Sequence, residues 1–386
     1  MIEILHQDPK NRRTNREIKQ EQTGEAWYTY NGNDSDVVLS SRIVMSRNLS
    51  SFPFPSQLQE NECKRILSIV FSAFLDLGAG DEFQSLPINN LDPLGTKILQ
   101  ERGMLPDAIN TEGTGIVLRM DGKISCTVNL GDHLKICAYA PGLDFDSVMS
   151  LSGNLDSGLQ KKMQFAASRD FGYLTSDVLD AGSGMHLGLR LHLPSLAALG
   201  KIKDIAEEYN SNGLTFSASY GSGGSDFVSG TDWPASSLGC YYDLATVNCM
   251  EGSQIDQLTS IASAGIKLKE MERNSRQECL DSIPSTIKNY VYRALTLSRS
   301  SLFMPLREAI SIVSGIKWGL DMGILSGTDD PRLHSLLYRI QDGHMEYVLR
   351  NGAFNFEDDI KRDVVKRNQR LRALILQDAF KDVRIN

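Results

Sequence analysis

Leu187, Leu189, Leu191 and Leu193 alternate with His186, Gly188, Arg190 and His192, the period-two pattern of a half-buried β-strand. Just upstream, residues 171–176 (FGYLTS) form a short aromatic and β-branched run that predicts a second strand. Ala181-Gly182-Ser183-Gly184 forces a turn between the two, and Pro194-Ser195 ends the strand and opens a helix. Period two returns at 114–120 (TGIVLRM) and 123–129 (KISCTVN), joined by Asp121-Gly122, a strong hairpin signal. It recurs at 214–224, where Leu214, Phe216, Ala218 and Tyr220 alternate with polar residues, and a last strand is predicted near 239–247. Helical spacing links Cys63, Ile66, Leu67, Val70 and Phe74 behind a Ser56/Gln59 capping box, with a stop at Gly78 or Gly80. It also covers 143–168, and the run through Leu196, Leu199, Ile202, Ile205 and Tyr209 up to Gly213. Residues 81–112 show little periodicity.

Past about residue 253 the pattern is helical throughout, with helices predicted at 253–280, 285–299, 305–322, 331–349 and 357–380 and Pro305 in a first-turn position. A boundary is therefore expected near 250. Residues 1–26 are too polar to bury much apolar area and are expected to form a mobile arm. The expected organisation is an arm (1–26), a mixed strand and helix domain (27–250) and a helical domain (253–386).

The 386 residues, 41% of them hydrophobic, suffice for two or three domains with sizeable cores. A net charge of -8 argues against broad nucleic-acid or anionic-membrane binding. No apolar run approaches the roughly 20 residues of a membrane span, and no signal-peptide core is present at the N-terminus. Cys63, Cys126, Cys137, Cys240, Cys249 and Cys279 lack CxxC spacing, which predicts free, mostly buried thiols in a reducing cytoplasm and no metal site.

Four frames carry candidate chemistry: 37–55 (VVLSSRIVMSRNLSSFPFP), 129–135 (NLGDHLK), the 171–193 segment, and 214–224. Together they resemble the guanidino (phosphagen) kinases, and among these the bacterial McsB-type protein-arginine kinases. The resemblance implies an α+β fold, a guanidino-kinase catalytic domain with an antiparallel sheet flanked by helices. An all-helical C-terminal domain like the phosphoarginine-binding domain of McsB would follow. In such kinases the first frame reads Ser-Ser-Arg-Ile-Arg and gives two arginines to ATP phosphates; here Arg42 matches one and Val44 replaces the other. The second reads Asn-Glu-Glu-Asp-His-Leu-Arg; here Gly131 stands at the glutamate that orients the substrate guanidinium, and Lys135 at the arginine. In the third, Asp177 replaces the cysteine, Asp180 the asparagine and His186 a phosphate-binding arginine. In the fourth, Tyr220 and Gly221 match, while Ser217 replaces an arginine and Ser222 a glutamate.

Guanidino phosphoryl transfer needs positive charge around the moving phosphoryl and a carboxylate holding the nucleophile. Loss of one transition-state donor typically costs about 3–4 kcal/mol, and several are missing. Asp177 and Asp180 add repulsion, since a carboxylate about 4 Å from a phosphate oxygen costs on the order of 4 kcal/mol at an effective dielectric of about 20. The resemblance therefore implies a pseudokinase acting as a binding, adaptor or regulatory protein, with quality-control machinery as its setting. Two alternatives stay open: an active protein-arginine kinase with a rebuilt site, and a phosphoarginine-reading module. No cofactor is expected, or Mg-ATP if nucleotide binding persists. The partners implied are proteins, such as a McsA-like zinc protein or Clp-type chaperone machinery, with homodimerisation open.

The remaining candidates have plainer readings. Asp132-His133 reads as a relocated acid–base pair or as part of the retained frame. His186 and His192, flanking Arg190, read as a metal pair or, more simply, as a solvated strand face. Arg47 is expected to pair with a nearby acid or helix end. Asp177 is expected to be neutralised by Arg190, Lys135 or Arg42, or to await an external arginine. Near the C-terminus, Arg362, Asp363 and Lys366 resemble the phosphoarginine pocket of McsB, and Arg362, Lys366 and Arg370 are expected on one helical face.

Overall fold

A computed structural model describes residues 26–77, 82–221, 237–249 and 253–386. The chain begins with β1 (Val38–Arg47), α1 (Glu60–Leu77), β2 (Phe83–Pro87) and α2 (Pro93–Glu101). Three strands then follow in succession, β3 (Gly115–Arg119), β4 (Ile124–Leu130) and β5 (Asp132–Pro141). Next come α3 (Phe145–Gln160), a miniature hairpin of β6 (Ala167–Ser168) and β7 (Gly172–Tyr173), and β8 (Met185–His192). The helices α4 (Pro194–Ala198) and α5 (Ile202–Ser211) lead to β9 (Leu214–Ala218) and β10 (Tyr241–Thr246). Of these ten strands, all but β6 and β7 form one antiparallel sheet in the order β2-β3-β4-β5-β1-β8-β10-β9.

The rest is helical: α6 (Gln254–Ser282), α7 (Pro284–Ser300), α8 (Leu306–Asp321), α9 (Asp330–Arg339), α10 (Asp342–Asn351), α11 (Asp358–Lys361) and α12 (Val364–Phe380). A two-residue ladder, β11 (Leu325–Ser326) with β12 (Arg384–Ile385), ties the last residues back onto this region. Among the described residues no helix is long and apolar enough to cross a membrane. All six cysteines are free.

One sheet face is apolar. Ile43, Met45, Leu134, Ile136, Leu187, Leu189 and Leu244 pack there against α1, α3 and α6, the last contributing Ile261, Ala264 and Leu268. A second core joins α7, α8, α9 and α12 and takes in Leu39 and Tyr241 from the sheet. The fold thus has the expected antiparallel sheet, flanking helices and helical C-terminal region. α4 couples the two cores: the buried Glu272 of α6 accepts the backbone N–H of Ser195 (2.9 Å) and Leu196 (3.0 Å), and Trp318 of α8 donates to Ser195 Oγ (2.9 Å). A carboxylate on exposed helical N–H groups is the usual answer to their missing partners.

Several expectations need correction. The strand predicted at 171–176 is only Gly172–Tyr173. The helix predicted over 143–168 ends at Gln160, and the one through Tyr209 breaks at 199–201 into α4 and α5. The 331–349 and 357–380 helices are each two, broken at 340–341 and 362–363. Residues 81–112 contain β2 and α2, the latter capped by Asp92 with Pro93 in its first turn. The capping carboxylate of α1 is Glu62, which accepts Gln59 N–H (2.8 Å), and Ser56 lies in a preceding 3-10 turn. β8 is buried on both faces along much of its length, because α8 covers its end: His192 is sealed and bonds Ser314 Oγ at 2.8 Å. His192 is thus no solvated neighbour of His186. The stop at Gly78 or Gly80, Ser222, and the arm as far as residue 25 lie outside the described residues.

Candidate active site

The sheet register decides which side chains meet, because directly paired residues of adjacent strands point to one face. Lys135 of β5 lies opposite Ser46 of β1. In the next row Cys137 and His186 flank Val44. Beyond it Tyr139 and Gly188 flank Arg42, and then Ser40, Arg190, Asp243 and Ser217 form a row across four strands. Arg42, Val44, Lys135, His186 and Ser217 therefore share one face. A Cβ on Gly188 would come 2.7 Å from Arg42 Nε, so the arginine lies across the bare backbone.

Two chain segments close over one end of this face. The 177–183 loop carries a 3-10 turn at Val178–Asp180, and its Leu179 carbonyl accepts Cys249 N–H (2.8 Å). This brings Asp180 and Cys249 onto His186. Asp180 Oδ1 lies 2.6 Å and Cys249 Sγ 3.4 Å from the same imidazole nitrogen, Nε2. Nδ1 contacts the Thr246 carbonyl at 3.1 Å, and since a carbonyl only accepts, Nδ1 carries the hydrogen. The hydrogen bond to Asp180 raises the pKa of His186 to about 10, with Cys249 adding to the effect, and the same bond lowers that of Asp180. His186 is therefore committed to a carboxylate.

At the other end, Arg190 donates to both carboxylate oxygens of Asp243 (2.9 and 3.0 Å), and the pair borders a cavity of about 240 Å³ with Arg42, Tyr139, Tyr220 and Tyr338. Arg42 makes no hydrogen bond among the described residues.

Residues 65–231 match the ATP:guanido phosphotransferase C-terminal catalytic domain, and residues 284–384 match the protein-arginine kinase McsB C-terminal domain. By these matches the chain is a relative of the ATP:guanido phosphotransferases. It is 26% identical over 349 residues to a protein-arginine kinase of Bacillus pumilus, covering 90% of this chain and 93% of that one. A protein-arginine kinase of Caldanaerobacter subterraneus is 27% identical over 333 residues, covering 85% and 95%. In fold it is similar to the substrate-free duplicated taurocyamine kinase of Schistosoma mansoni (TM-score 0.54, 18% identity, 73% of this chain). The chain spans 40% of that duplicated protein's length. It is also similar to a lombricine kinase (TM-score 0.51, 16% identity, 68% of this chain and 71% of that one).

The other positions singled out from the family frames have structural employment. Arg47 is buried, bonds Asp156 (2.9 Å) and lies 3.7 Å over the Tyr173 ring, the internal role expected of it. Asp132 accepts from Asn48 Nδ2 and Ser176 N–H, both at 2.7 Å. His133 accepts Leu49 N–H on Nδ1 (2.9 Å) and donates from Nε2 to the Pro53 carbonyl (2.9 Å); burial lowers its pKa. The Asp132-His133 pair is thus a latch between β5 and the segment after β1, with no free lone pair on the imidazole for acid–base work. Gly131 sits at φ +83° in the tight β4–β5 turn, a backbone region that disfavours a glutamate. Asp177 is exposed and caps its own turn through Leu179 N–H (2.9 Å). The expected internal neutralisation of Asp177 does not occur: Arg190 is taken by Asp243, and the short turn holds the carboxylate at the surface.

In the helical C-terminal region, Asp363 caps α12 by accepting Val365 and Lys366 N–H (2.9 and 3.1 Å), and Lys366 reaches Asp359 (3.3 Å). Arg362 ends α11 and is exposed, so the expected row on one helical face keeps only Lys366 and Arg370. Sequence reading misses Cys249 and Asp243 altogether. Cys249 is 63 residues from His186 and reaches it only through the β8–β10 pairing, so no local spacing announces it.

Proposed function

We propose that this guanido phosphotransferase relative is a catalytically silent protein-arginine-kinase homologue that works in the cytoplasm by binding, as an adaptor or regulator of protein partners. The observation that carries this reading is His186. It replaces the arginine that the resemblance assigns to phosphate, and it is bound at 2.6 Å to Asp180, so that position offers the phosphoryl group no free cation. Val44 and Ser217 supply no charge on the same face, and Gly131 leaves the guanidinium without its carboxylate. Arg42 and Lys135 are the positive groups left at the frame positions, and Lys135 lies within electrostatic reach of Asp180. These residues do not fit a magnesium-bound triphosphate, which needs converging donors. The partners would be of the kind that protein-arginine kinases engage, a zinc-containing activator or Clp-type chaperone machinery.

The test is phosphoarginine formation on a general protein substrate, with the Bacillus pumilus protein-arginine kinase as positive control. No product should form. Product that disappears on Arg42→Ala would instead establish the active kinase with a rebuilt site.

A phosphoarginine-reading module is a second reading, favoured by the match of 284–384 to the McsB C-terminal domain and by the exposed Arg362 beside Lys366. A phosphoarginine peptide should then bind, and Arg362→Ala should abolish that binding while unmodified peptide stays inert.

A further inference from the structure

We propose that Asp180, His186 and Cys249 form a zinc site. The argument starts from the two nitrogens of His186. Nδ1–H is held by the Thr246 carbonyl, which leaves Nε2 aimed at Asp180 Oδ1 (2.6 Å) and Cys249 Sγ (3.4 Å). A nitrogen lone pair and a carboxylate oxygen at that separation repel unless a cation lies between them. In the metal-free chain a proton fills that role. The second is a metal ion, and the three donor atoms lie within 4.8 Å of one another.

A Cys-His-Asp relay is the competing reading, and the geometry rejects it. A relay places acid and thiol on opposite imidazole nitrogens, so that the acid fixes one while the other takes the thiol proton. Here both converge on Nε2, and a backbone carbonyl occupies Nδ1. Convergence on one nitrogen, with the other tied to a carbonyl, is the arrangement of a metal-ligating histidine.

Thiolate, imidazole and carboxylate together suit zinc, with ligand distances of about 2.0–2.3 Å that put tetrahedral donors about 3.4 Å apart. The His186–Cys249 separation already matches, and Asp180 needs to retreat by less than about 1 Å from its hydrogen-bonded position. The donor loops are braced for this: Cys249 N–H bonds the Leu179 carbonyl and Thr246 precedes Cys249 on the same connection. Cys249 is buried, with its thiol hydrogen directed at the Met185 carbonyl (3.2 Å), while Asp180 and His186 are partly exposed and leave a fourth position to water. Lys135 lies within electrostatic reach of Asp180 and opposes a cation, but two anionic ligands outweigh it. The site is independent of the catalytic reading: zinc binding can fail while the chain remains inactive, and the reverse.

The experiment titrates zinc into full-length protein against a competing chromogenic chelator, and repeats it with cobalt to read the thiolate-to-metal absorption. One ion per chain should bind, with proton release from the displaced His186 proton and the Cys249 thiol, seen as buffer-dependent heat. Cys249→Ser should lose the thiolate band, His186→Asn should lose binding, and Cys63→Ser should retain both. Circular dichroism reports whether each variant is folded. If Cys249→Ser does not fold, Asp180→Asn, at a partly exposed position, carries the same expectation of at least tenfold weaker binding. Absence of saturable binding to the wild-type chain, or binding unchanged in His186→Asn and Asp180→Asn, would overturn the site.

Discussion

Arg190 and Asp243 face each other across β8 and β10 and are joined by two near-parallel hydrogen bonds of 2.9 and 3.0 Å. The pair neutralises an arginine on the same sheet face as Arg42 and lines the cavity between the sheet and α9. The guanidinium beside Asp243 holds its carboxyl below the usual range, although burial works the other way. Asp243→Asn leaves Arg190 without its counter-charge. The expected loss is about 2 kcal/mol, less than the about 3–5 of a sealed pair because the cavity admits water. Thermal or urea unfolding of Asp243→Asn, Arg190→Met and the double variant measures it. The double variant should be less destabilised than the sum of the singles, and strict additivity would show that the two do not act as a pair.

A second prediction concerns acid. Burial lowers the pKa of His334 to about 3; it meets the rings of Trp27 and Tyr28 edge-on and that of Tyr338 at a tilt, and the charges of Arg190 and Lys317 push the same way. Its unfolded value is about 6.5. Between those two values the unfolded chain binds the extra proton, so stability is full above about pH 6.5 and falls as pH drops. His133, His192 and His344 are lowered by burial too and add to this slope, while Asp321, raised to about 7, opposes it. His186, raised to about 10, stays protonated in the folded chain while its unfolded imidazole titrates near about 6.5, so it opposes the slope at the upper end of this window. His334→Gln isolates one proton: its unfolding free energy between pH 6 and 5 should fall by about 1 kcal/mol per pH unit less than the wild type's. Equal slopes would mean that His334 already titrates in the folded chain.

Nucleotide affinity should respond to rebuilding the face. Mg-ATP should give no saturable heat below millimolar concentration with the wild-type chain. Val44→Arg, Asp180→Asn and His186→Arg together restore two cations and remove one anion on a single sheet face. Affinity should rise at least tenfold, about 1.4 kcal/mol. Micromolar binding by the wild type that weakens on Arg42→Ala would show that Arg42 and Lys135 suffice.

The missing cations are readable one by one in the sequence, because the frames around Arg42, Lys135 and His186 survive and fix the strand register that puts them on one face. What replaces them chemically is not readable. Cys249 joins His186 through pairing between strands far apart in sequence, and Asp243 neutralises Arg190 the same way. His192 follows the same logic: leucine alternation makes its face look solvated, but α8, more than 100 residues later, covers it. β2 and α2 escape notice because five and nine residues are too few to establish a period. The C-terminal helices are legible as helical but not in their breaks, since Ile340 and Asp363 interrupt runs whose composition remains helical.

Asp177 separates surface chemistry from internal pairing. Its carboxylate accepts only Leu179 N–H among the described groups, and its side chain is exposed. Asparagine caps as well as aspartate, so Asp177→Asn should shift the melting temperature negligibly, whereas an internal ion pair would be lost with a clear decrease. The exposed carboxylate has two oxygens, one of them uncommitted, and can accept an arginine fork from outside. Arginine-rich peptides should then raise the wild-type melting temperature by mass action and leave Asp177→Asn unmoved. A guanidinium site there also needs the rest of the pocket, and Asp180 is already held by His186. The peptide response should therefore be weak, in the millimolar range, and lost in about 0.5 M salt, where the screening length is only a few ångströms. A salt-resistant response, or one that persists in Asp177→Asn, would place the arginine contact elsewhere on the chain.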